Sequence, residues 1–197
     1  MPKKKSVKHI ADEFLRAATD IEVYLRDCGA TAGFRYMEYA YDYAALWLYM
    51  EFEYMMLQAL VGAVNNNTAA TIGARTGIAF PRHLSDEACE YLVTGDGYFD
   101  FKGRDGLIKC LKQFLLDTHY VVTTVADPKY KASIERLVAL RNFAAHGSSY
   151  AKKKALATLG VRRLRSAGAW LSKLGRFDAI LAQLRGMATD LKARAPY

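Results

Sequence analysis

Apolar residues recur every three or four positions along most of the chain, which is the spacing of one face of an α-helix. The first such pattern covers residues 6–28 and ends at the glycines of DCGATAG. The longest covers residues 34–64, where nothing breaks a helix before Gly62. Because apolar residues surround so much of this second helix, we expect it to be buried against several partners.

The second predicted helix carries a stripe of large side chains. Its members are Tyr36, Tyr43, Trp47, Met50 and Tyr54. Such a stripe suits three roles, which are a platform for stacking bases, a part of the core and a subunit interface. The amount of apolar surface favours the core or an interface.

The middle of the chain predicts less regular structure. Residues 65–84 are rich in Gly, Thr and Asn and predict a long connection. A short helix follows in SDEACEYLV, where Ser85 is an N-cap and acids occupy the first turn. Residues 94–103 predict a loop or a small strand, and helical spacing resumes over residues 104–122. The segment FKGRDG places Arg104 beside glycines, but it lacks the Lys-Ser/Thr of a phosphate-binding loop. A structural turn is therefore favoured.

Three more helices are predicted towards the end of the chain. Asp127 is a good N-cap and Pro128 a good first helical residue, and this helix runs to Gly147. A serine-capped helix follows in SSYAKKKALATLG, and the last helix spans roughly Ser166 to Lys192. The sequence therefore predicts an all-α fold, a single helical bundle over residues 1–197 with a loop-rich insertion near its middle.

Composition narrows the class of protein. The chain is 52% hydrophobic and 24% charged, and no apolar run reaches the length of a membrane span. The N-terminal MPKKKSVKH is not followed by an apolar stretch, so it does not read as a secretory signal. The three cysteines lack the spacing of a zinc site and suit a reduced, cytoplasmic protein. The four histidines also show no metal-ligand spacing, so we expect no metal and no cofactor. Because no apolar run is long enough to span a bilayer, we expect no membrane partner.

Positive charge is concentrated in the last quarter of the chain. The formal net charge is +8, yet eleven Lys and Arg after Gly147 face only Asp178 and Asp190, a net of +9. The first 146 residues therefore carry a net charge of −1. This asymmetry suits an anionic partner, most simply nucleic acid, and it equally suits a solvated helical surface.

RNFAAHG, at the end of the helix that begins at Pro128, raises a question about burial. Ile134, Leu137 and Val138 mark the inward stripe of this helix, and the same spacing continues to Arg141 and then Ala145. Arg141 thus takes a position where the pattern predicts another Leu. Burying an unpaired guanidinium is very costly, so we expect Arg141 to meet a carboxylate, a ligand phosphate or a partner surface.

A second face of the same helix carries Glu135, Asn142 and His146, which are seven and four residues apart. Asn142 can hydrogen-bond His146 one turn on and orient its ring. On a regular helix Arg141 and His146 lie about 140° apart, at about 100° per residue. They converge if the turn unwinds at Gly147, or if two copies of the helix meet across a two-fold axis.

These residue types suit phosphodiester chemistry. A guanidinium grips a phosphate in two places and stabilises charge on its oxygens. Histidine transfers protons near neutral pH, and the 2′-OH of RNA can be the nucleophile without a metal. The alternative is structural, with Arg141 in an ion pair to a carboxylate such as Glu135 and His146 capping a helix.

RNFAAHG resembles the Arg-x4-6-His signature of the HEPN superfamily (higher eukaryote and prokaryote nucleotide-binding domains). The preceding IERLVAL and the following SSYAKKKAL are similar to its bacterial members. The similarity covers about residues 100–175, the motif-bearing part of a HEPN-like helical domain. It implies a metal-independent endoribonuclease that works as a homodimer, in which two motifs form one cleft. Many such proteins are toxins or antiviral effectors.

The resemblance implies a role for each motif residue. Arg141 would stabilise the scissile phosphate, His146 would be the general acid or base, and Asn142 would orient His146. Basic residues downstream then suit a track for the RNA backbone, with an ordinary solvated face as the alternative. They are Lys152, Lys153, Lys154, Arg162, Arg163 and Arg165.

Some relatives lack nuclease activity, so two other functions stay open. One is a non-catalytic module that binds nucleotides or nucleic acid. The other is a helical interaction protein, one half of a toxin–antitoxin pair. The expected partners are RNA, a second copy of the chain, and a cognate antitoxin or regulatory protein.

Overall fold

The computed structural model describes residues 5–31, 34–82, 84–95, 97–99 and 101–196. All regular structure in these ranges is helical, so the all-α fold class is confirmed. None of the described helices is long and apolar enough to cross a membrane. The chain divides into two compact units, each built from separate stretches of sequence.

Ten α-helices and one short π-helix, Ala69–Gly73, make up the described structure. The α-helices are α1 Val7–Thr31, α2 Phe34–Asn66, α3 Ala74–Thr76, α4 Asp86–Thr94, α5 Gly103–Phe114, α6 Tyr120–Ala126, α7 Pro128–His146, α8 Ser149–Leu159, α9 Ala167–Leu171 and α10 Arg176–Arg194.

The first unit comprises Met1–Phe14, Glu53–Pro128 and Met187–Tyr197. Apolar side chains from the second half of α2, from α5 and α6, and from the end of α10 are buried in it. They include Leu60, Leu107, Leu111, Val125 and Leu191.

The second unit comprises Leu15–Phe52 and Lys129–Gly186, and it contains the RNFAAHG motif. Its buried side chains come from α1, α2, α7 and α10. They include Ile21, Leu48, Phe52, Ile134, Leu137, Leu140, Phe177 and Leu181. The motif helix therefore stands on an apolar core of its own unit.

Helix starts that the sequence marks with capping residues are confirmed. The hydroxyl of Ser85 accepts a hydrogen bond from the backbone N–H of Ala88 at 3.1 Å, at the start of α4. Ser148 caps α8 in the same way, because its hydroxyl accepts from the N–H of Ala151 at 3.2 Å. Both contacts satisfy N–H groups that have no partner within the helix.

The helix predicted over residues 104–122 is wrong, because α5 ends at Phe114 and α6 begins at Tyr120. Side-chain contacts stabilise the break. Arg75 Nε donates to the carbonyl of Leu115 at 3.0 Å, where α5 ends. Asp117 within the break accepts hydrogen bonds from Arg75 at 2.7 Å and Lys112 at 2.9 Å. Arg75 is 40 or more residues away from its partners in the break, so helical periodicity alone does not indicate the break.

The single helix predicted from Ser166 to Lys192 is also two helices, α9 and α10. Between them Gly175 has φ of 75°, a conformation that glycine adopts without strain. The predicted connection over residues 65–84 contains the π-helix and α3, which the sequence analysis missed. Threonine side chains support this segment, since Thr71 Oγ1 donates to the carbonyl of Asn67 at 2.7 Å.

Arg104 is structural, as predicted for FKGRDG, but it lies in the first turn of α5 and not in a loop turn. Its side chain is buried, and it donates to the carbonyls of Val125, at 2.9 Å, and Ala126. These carbonyls lie at the C-terminal end of α6, where no further N–H of the helix reaches them.

Candidate functional site

The buried face of α7 contains partly different residues from those of the predicted stripe. Its buried members are Tyr130, Ser133, Ile134, Leu137, Ala139, Leu140 and Phe143. Val138 is only half-buried and Ala145 is exposed, so the predicted continuation from Val138 through Arg141 to Ala145 is wrong. Steps of three residues carry the buried face from Leu137 to Leu140, and Arg141 lies half-buried at its edge.

Arg141 meets an aromatic ring. Its Cζ lies 4.6 Å from the centroid of the Tyr49 ring on α2. Tyr49 is buried, with 4% of its surface exposed, so the guanidinium lies over a ring held firmly in the core. The electron-rich face of the ring attracts the cation, which offsets part of the cost of burying it. Nothing in the sequence around Arg141 indicates Tyr49 as its partner.

The positive charge of Arg141 is not neutralised by a carboxylate in the described part of the chain, and the alternative ion pair with Glu135 is absent there. Its Nη1 donates to the Asn142 side-chain oxygen at 2.9 Å. A guanidinium has five N–H groups, and this contact uses one. Donors and charge therefore remain for an anionic ligand.

Within the described ranges Asn142 makes a hydrogen bond with Arg141 and none with His146. Its Oδ1 accepts the bond from Arg141, and no hydrogen bond between Asn142 and His146 occurs among the described residues. The orienting role predicted for Asn142 towards His146 stays a prediction. The observed contact instead fixes the direction of the Arg141 side chain.

His146 is exposed and is the last residue of α7. The helix keeps its hydrogen bonding to the end, because the N–H of Gly147 donates to the carbonyl of Phe143 at 3.0 Å. The left-handed φ of Gly147, 58°, stops the helix one residue after His146. Since α7 does not unwind before Gly147, its ideal geometry keeps Arg141 and His146 about 140° apart within one copy.

All six downstream cations are exposed, and five of them make no ion pair within the described ranges. These five residues are Lys152, Lys153, Lys154, Arg162 and Arg163. Arg165 differs, because its guanidinium pairs with the carboxylate of Glu38, which is mostly buried on α2. Arg165 thus has a structural partner that limits its availability for RNA.

The segment after Arg165 packs closely on α2. The N–H of Gly168 donates to Asp42 Oδ1 at 2.6 Å. A Cβ on Gly168 would overlap the carbonyl oxygen of Glu38 and lie 2.7 Å from its carbonyl carbon. Burial raises the pKa of Asp42, and the bond from Gly168 partly opposes this shift. Glu38 and Asp42 are four residues apart and share one face of α2, and this spacing is the sequence signal for a polar contact there.

Other groups in the described structure offer little to a cofactor. No cluster of three or more His, Cys, Asp or Glu in these ranges is arranged to hold a metal ion. A cleft of about 450 Å³ opens in the second unit beside Glu22, Tyr41 and Asp178, and no predicted site residue lines it.

Comparison of the chain with family models, with curated proteins and with solved structures found no match. The resemblance to the HEPN superfamily therefore depends on RNFAAHG, its neighbouring segments and its position at a helix end.

Proposed function

We propose that the protein is a metal-independent endoribonuclease of HEPN type, which acts as a toxin or an antiviral effector. Arg141 carries the proposal. It is a half-buried cation that rests on the Tyr49 ring and has no carboxylate partner in the described ranges. A guanidinium fixed in this way is ready to bind a phosphate without first breaking an ion pair.

In the proposed reaction the 2′ oxygen of RNA forms a bond to phosphorus as the bond from phosphorus to the 5′ oxygen breaks. The products are a 2′,3′-cyclic phosphate and a 5′-hydroxyl. His146 accepts the proton from the 2′-OH or donates one to the leaving 5′ oxygen. Arg141 stabilises the negative charge that grows on the phosphate oxygens.

The proposed site needs two copies of the chain. Arg141 and His146 point about 140° apart on an unbroken helix, so one copy does not aim both at the same phosphate. Two copies of α7 related by a two-fold axis supply two arginines and two histidines to one cleft. One histidine then acts as the base and the other as the acid.

The test is cleavage of mixed RNAs by the purified chain in EDTA, followed by mapping of the new ends. His146→Ala is expected to slow cleavage by about 10²–10⁴-fold, the usual cost of losing a proton-transfer group. Arg141→Ala is expected to slow it by about 10²–10³-fold, the usual cost of losing a donor that stabilises an oxyanion. Arg136→Ala is the matched control, since Arg136 is exposed on the same helix. Full activity of either motif variant, or activity that requires added magnesium, would contradict the proposal.

The exposed cations after α7 favour a second candidate, a module that binds nucleic acid without cutting it. Lys152, Lys153 and Lys154 are consecutive exposed residues of α8 without carboxylate partners in the described ranges. Replacing all three with Gln is expected to weaken RNA binding. It should also reduce the slope of log affinity against log salt by roughly 0.7 for each lost contact. Binding that obeys this slope without new RNA ends would favour the second candidate.

A further inference from the structure

A stripe of exposed side chains runs along α2 in the second unit. Within the second unit we define the aromatic stripe as Tyr36, Tyr39, Tyr43, Trp47 and Met50. Tyr39 is added to the predicted stripe because it is exposed on the same face, and Tyr54 is left out because it belongs to the first unit. Tyr36, Tyr39, Tyr43 and Met50 are 67%, 65%, 52% and 57% exposed, and Trp47 is half-buried. Monomeric proteins rarely expose apolar patches larger than a few hundred Å² without a function for them.

The stripe is straight and well supported. At 100° and 1.5 Å per residue, its five members lie within an arc of about 80° and extend for about 21 Å along the helix. The ring of Tyr24 on α1 packs edge-on against Tyr43, with centroids 5.4 Å apart, and against Trp47 at 6.3 Å. Trp47 Nε1 donates to Glu51 at 3.1 Å. These contacts hold two of the side chains in place before any partner arrives.

The spacing of the stripe along α2 is symmetric about its central residue. Its members are separated by three, four, four and three residues, with Tyr43 at the centre. We propose that two copies of the chain pair through this stripe, with their α2 helices antiparallel and a two-fold axis at Tyr43. In that register Tyr36 faces Met50, Tyr39 faces Trp47, and Tyr43 faces its own counterpart. Tyrosine opposite methionine is a favourable contact, because sulfur packs well against ring edges.

The area of the stripe suits a second copy. With about 200 Å² for a large side chain, the exposed fractions amount to roughly 500 Å² on each copy. Pairing would bury about 1,000 Å² in total, the size at which specific interfaces begin. Tyr, Trp and Met are also the residues enriched at the centre of such interfaces.

The charge around the stripe argues against RNA as its occupant. None of its five members is charged, so two copies meet there without opposing like charges. Between Tyr36 and Asn66 the chain contains no Lys or Arg, and acids such as Asp42 and Glu51 are interspersed. A polyanion would meet repulsion here, although the tyrosine rings by themselves suit base stacking.

This inference goes beyond the proposed function, because it concerns pairing through α2 and not the cleft between two α7 helices. Tyr43 and Tyr49, the ring beneath Arg141, lie about 120° apart around α2. The test of the inference is the molar mass of the purified full-length chain without RNA, so its outcome is separate from any measurement of cleavage. The wild-type chain is expected to be a dimer of twice 22.0 kDa by sedimentation or light scattering. Tyr43→Glu places two carboxylates against each other on the axis. It should raise the dissociation constant by about 100-fold or more, since like charges across an interface cost several kcal/mol.

A pair of substitutions tests the register. Tyr36→Lys and Met50→Glu should each weaken the dimer, and the double variant should restore it, because opposite charges then meet at both ends of the stripe. A parallel arrangement would instead bring like charges together and weaken the dimer further. Leu174→Glu is the control, since Leu174 is fully exposed outside the stripe and should leave the mass unchanged. A monomeric wild type, a Tyr43→Glu variant as dimeric as the wild type, or a double variant no tighter than the single ones would overturn the proposal.

Discussion

The contact between Arg141 and Tyr49 makes a quantitative prediction about stability. The perturbation is a double-mutant cycle in which Arg141→Met removes the cation and Tyr49→Leu removes the ring. Cation–ring contacts contribute about 0.5–1 kcal/mol when exposed and about 2 kcal/mol or more when shielded from water. Arg141 is half-buried and Tyr49 is 4% exposed. We therefore expect a coupling of about 1–1.5 kcal/mol in the free energy of unfolding.

The assay is urea unfolding of the wild type, both single variants and the double variant at one pH and salt concentration. Tyr49→Leu alone also loses core packing, and the cycle subtracts that loss because the double variant loses it too. A second cycle takes the Tyr49→Phe variant as its starting protein and again removes the ring by changing residue 49 to Leu. Because Phe keeps the ring face, this cycle should give most of the same coupling with Arg141. A coupling within about 0.3 kcal/mol of zero, the usual error for independent sites, would refute our account of why Arg141 is tolerated there.

Two further predictions concern other buried contacts. Gly168→Ala should destabilise the protein by about 3 kcal/mol or more in urea unfolding, because its Cβ would displace backbone atoms of α2. Gly186→Ala on α10 is the control, and it should be neutral or stabilise the protein by up to about 1 kcal/mol, because its Cβ comes no closer than 3.6 Å to a neighbour. Equal changes in the free energy of unfolding for Gly168→Ala and Gly186→Ala would contradict this account. Burial lowers the pKa of His119 below its ordinary 6.5, so the folded state resists protonation and its stability should fall as the pH drops below about 6.5. His119→Asn, which keeps a capping oxygen, should show a smaller fall between pH 7.5 and pH 5.5; an unchanged pH dependence would count against His119 as its cause.

Capping residues predicted the starts of α4, α7 and α8 correctly. Ser85, Ser148 and Pro128 mark helix starts through contacts within a few residues, so the sequence alone reveals them. The break between α5 and α6 depends on Arg75, which is about 40 residues away from the atoms it binds. No periodicity along a single helix carries that information.

The candidate site was predicted unevenly for the same reason. RNFAAHG is a local signal and pointed to Arg141, Asn142 and His146. The partner of Arg141 is Tyr49, one of several aromatic residues on α2, and nothing nearby in sequence distinguishes it from the others. The pairing of Arg165 with Glu38 spans 127 residues and was likewise invisible. Helical spacing tells which residues share a face, but not which residue of another helix lies opposite.

The division of the chain into two interleaved units has a consequence for its synthesis. The first unit needs residues after Gly186, and the second needs residues between Lys129 and Gly186, so neither is complete in a short nascent chain. At about 5–20 residues per second, α2 is made roughly 6–25 s before the end of α10. During that time the most apolar helix of the protein lacks its late partners. We therefore expect slow, late folding on the ribosome, and a need for chaperones that cover α2 until the last helix has been made.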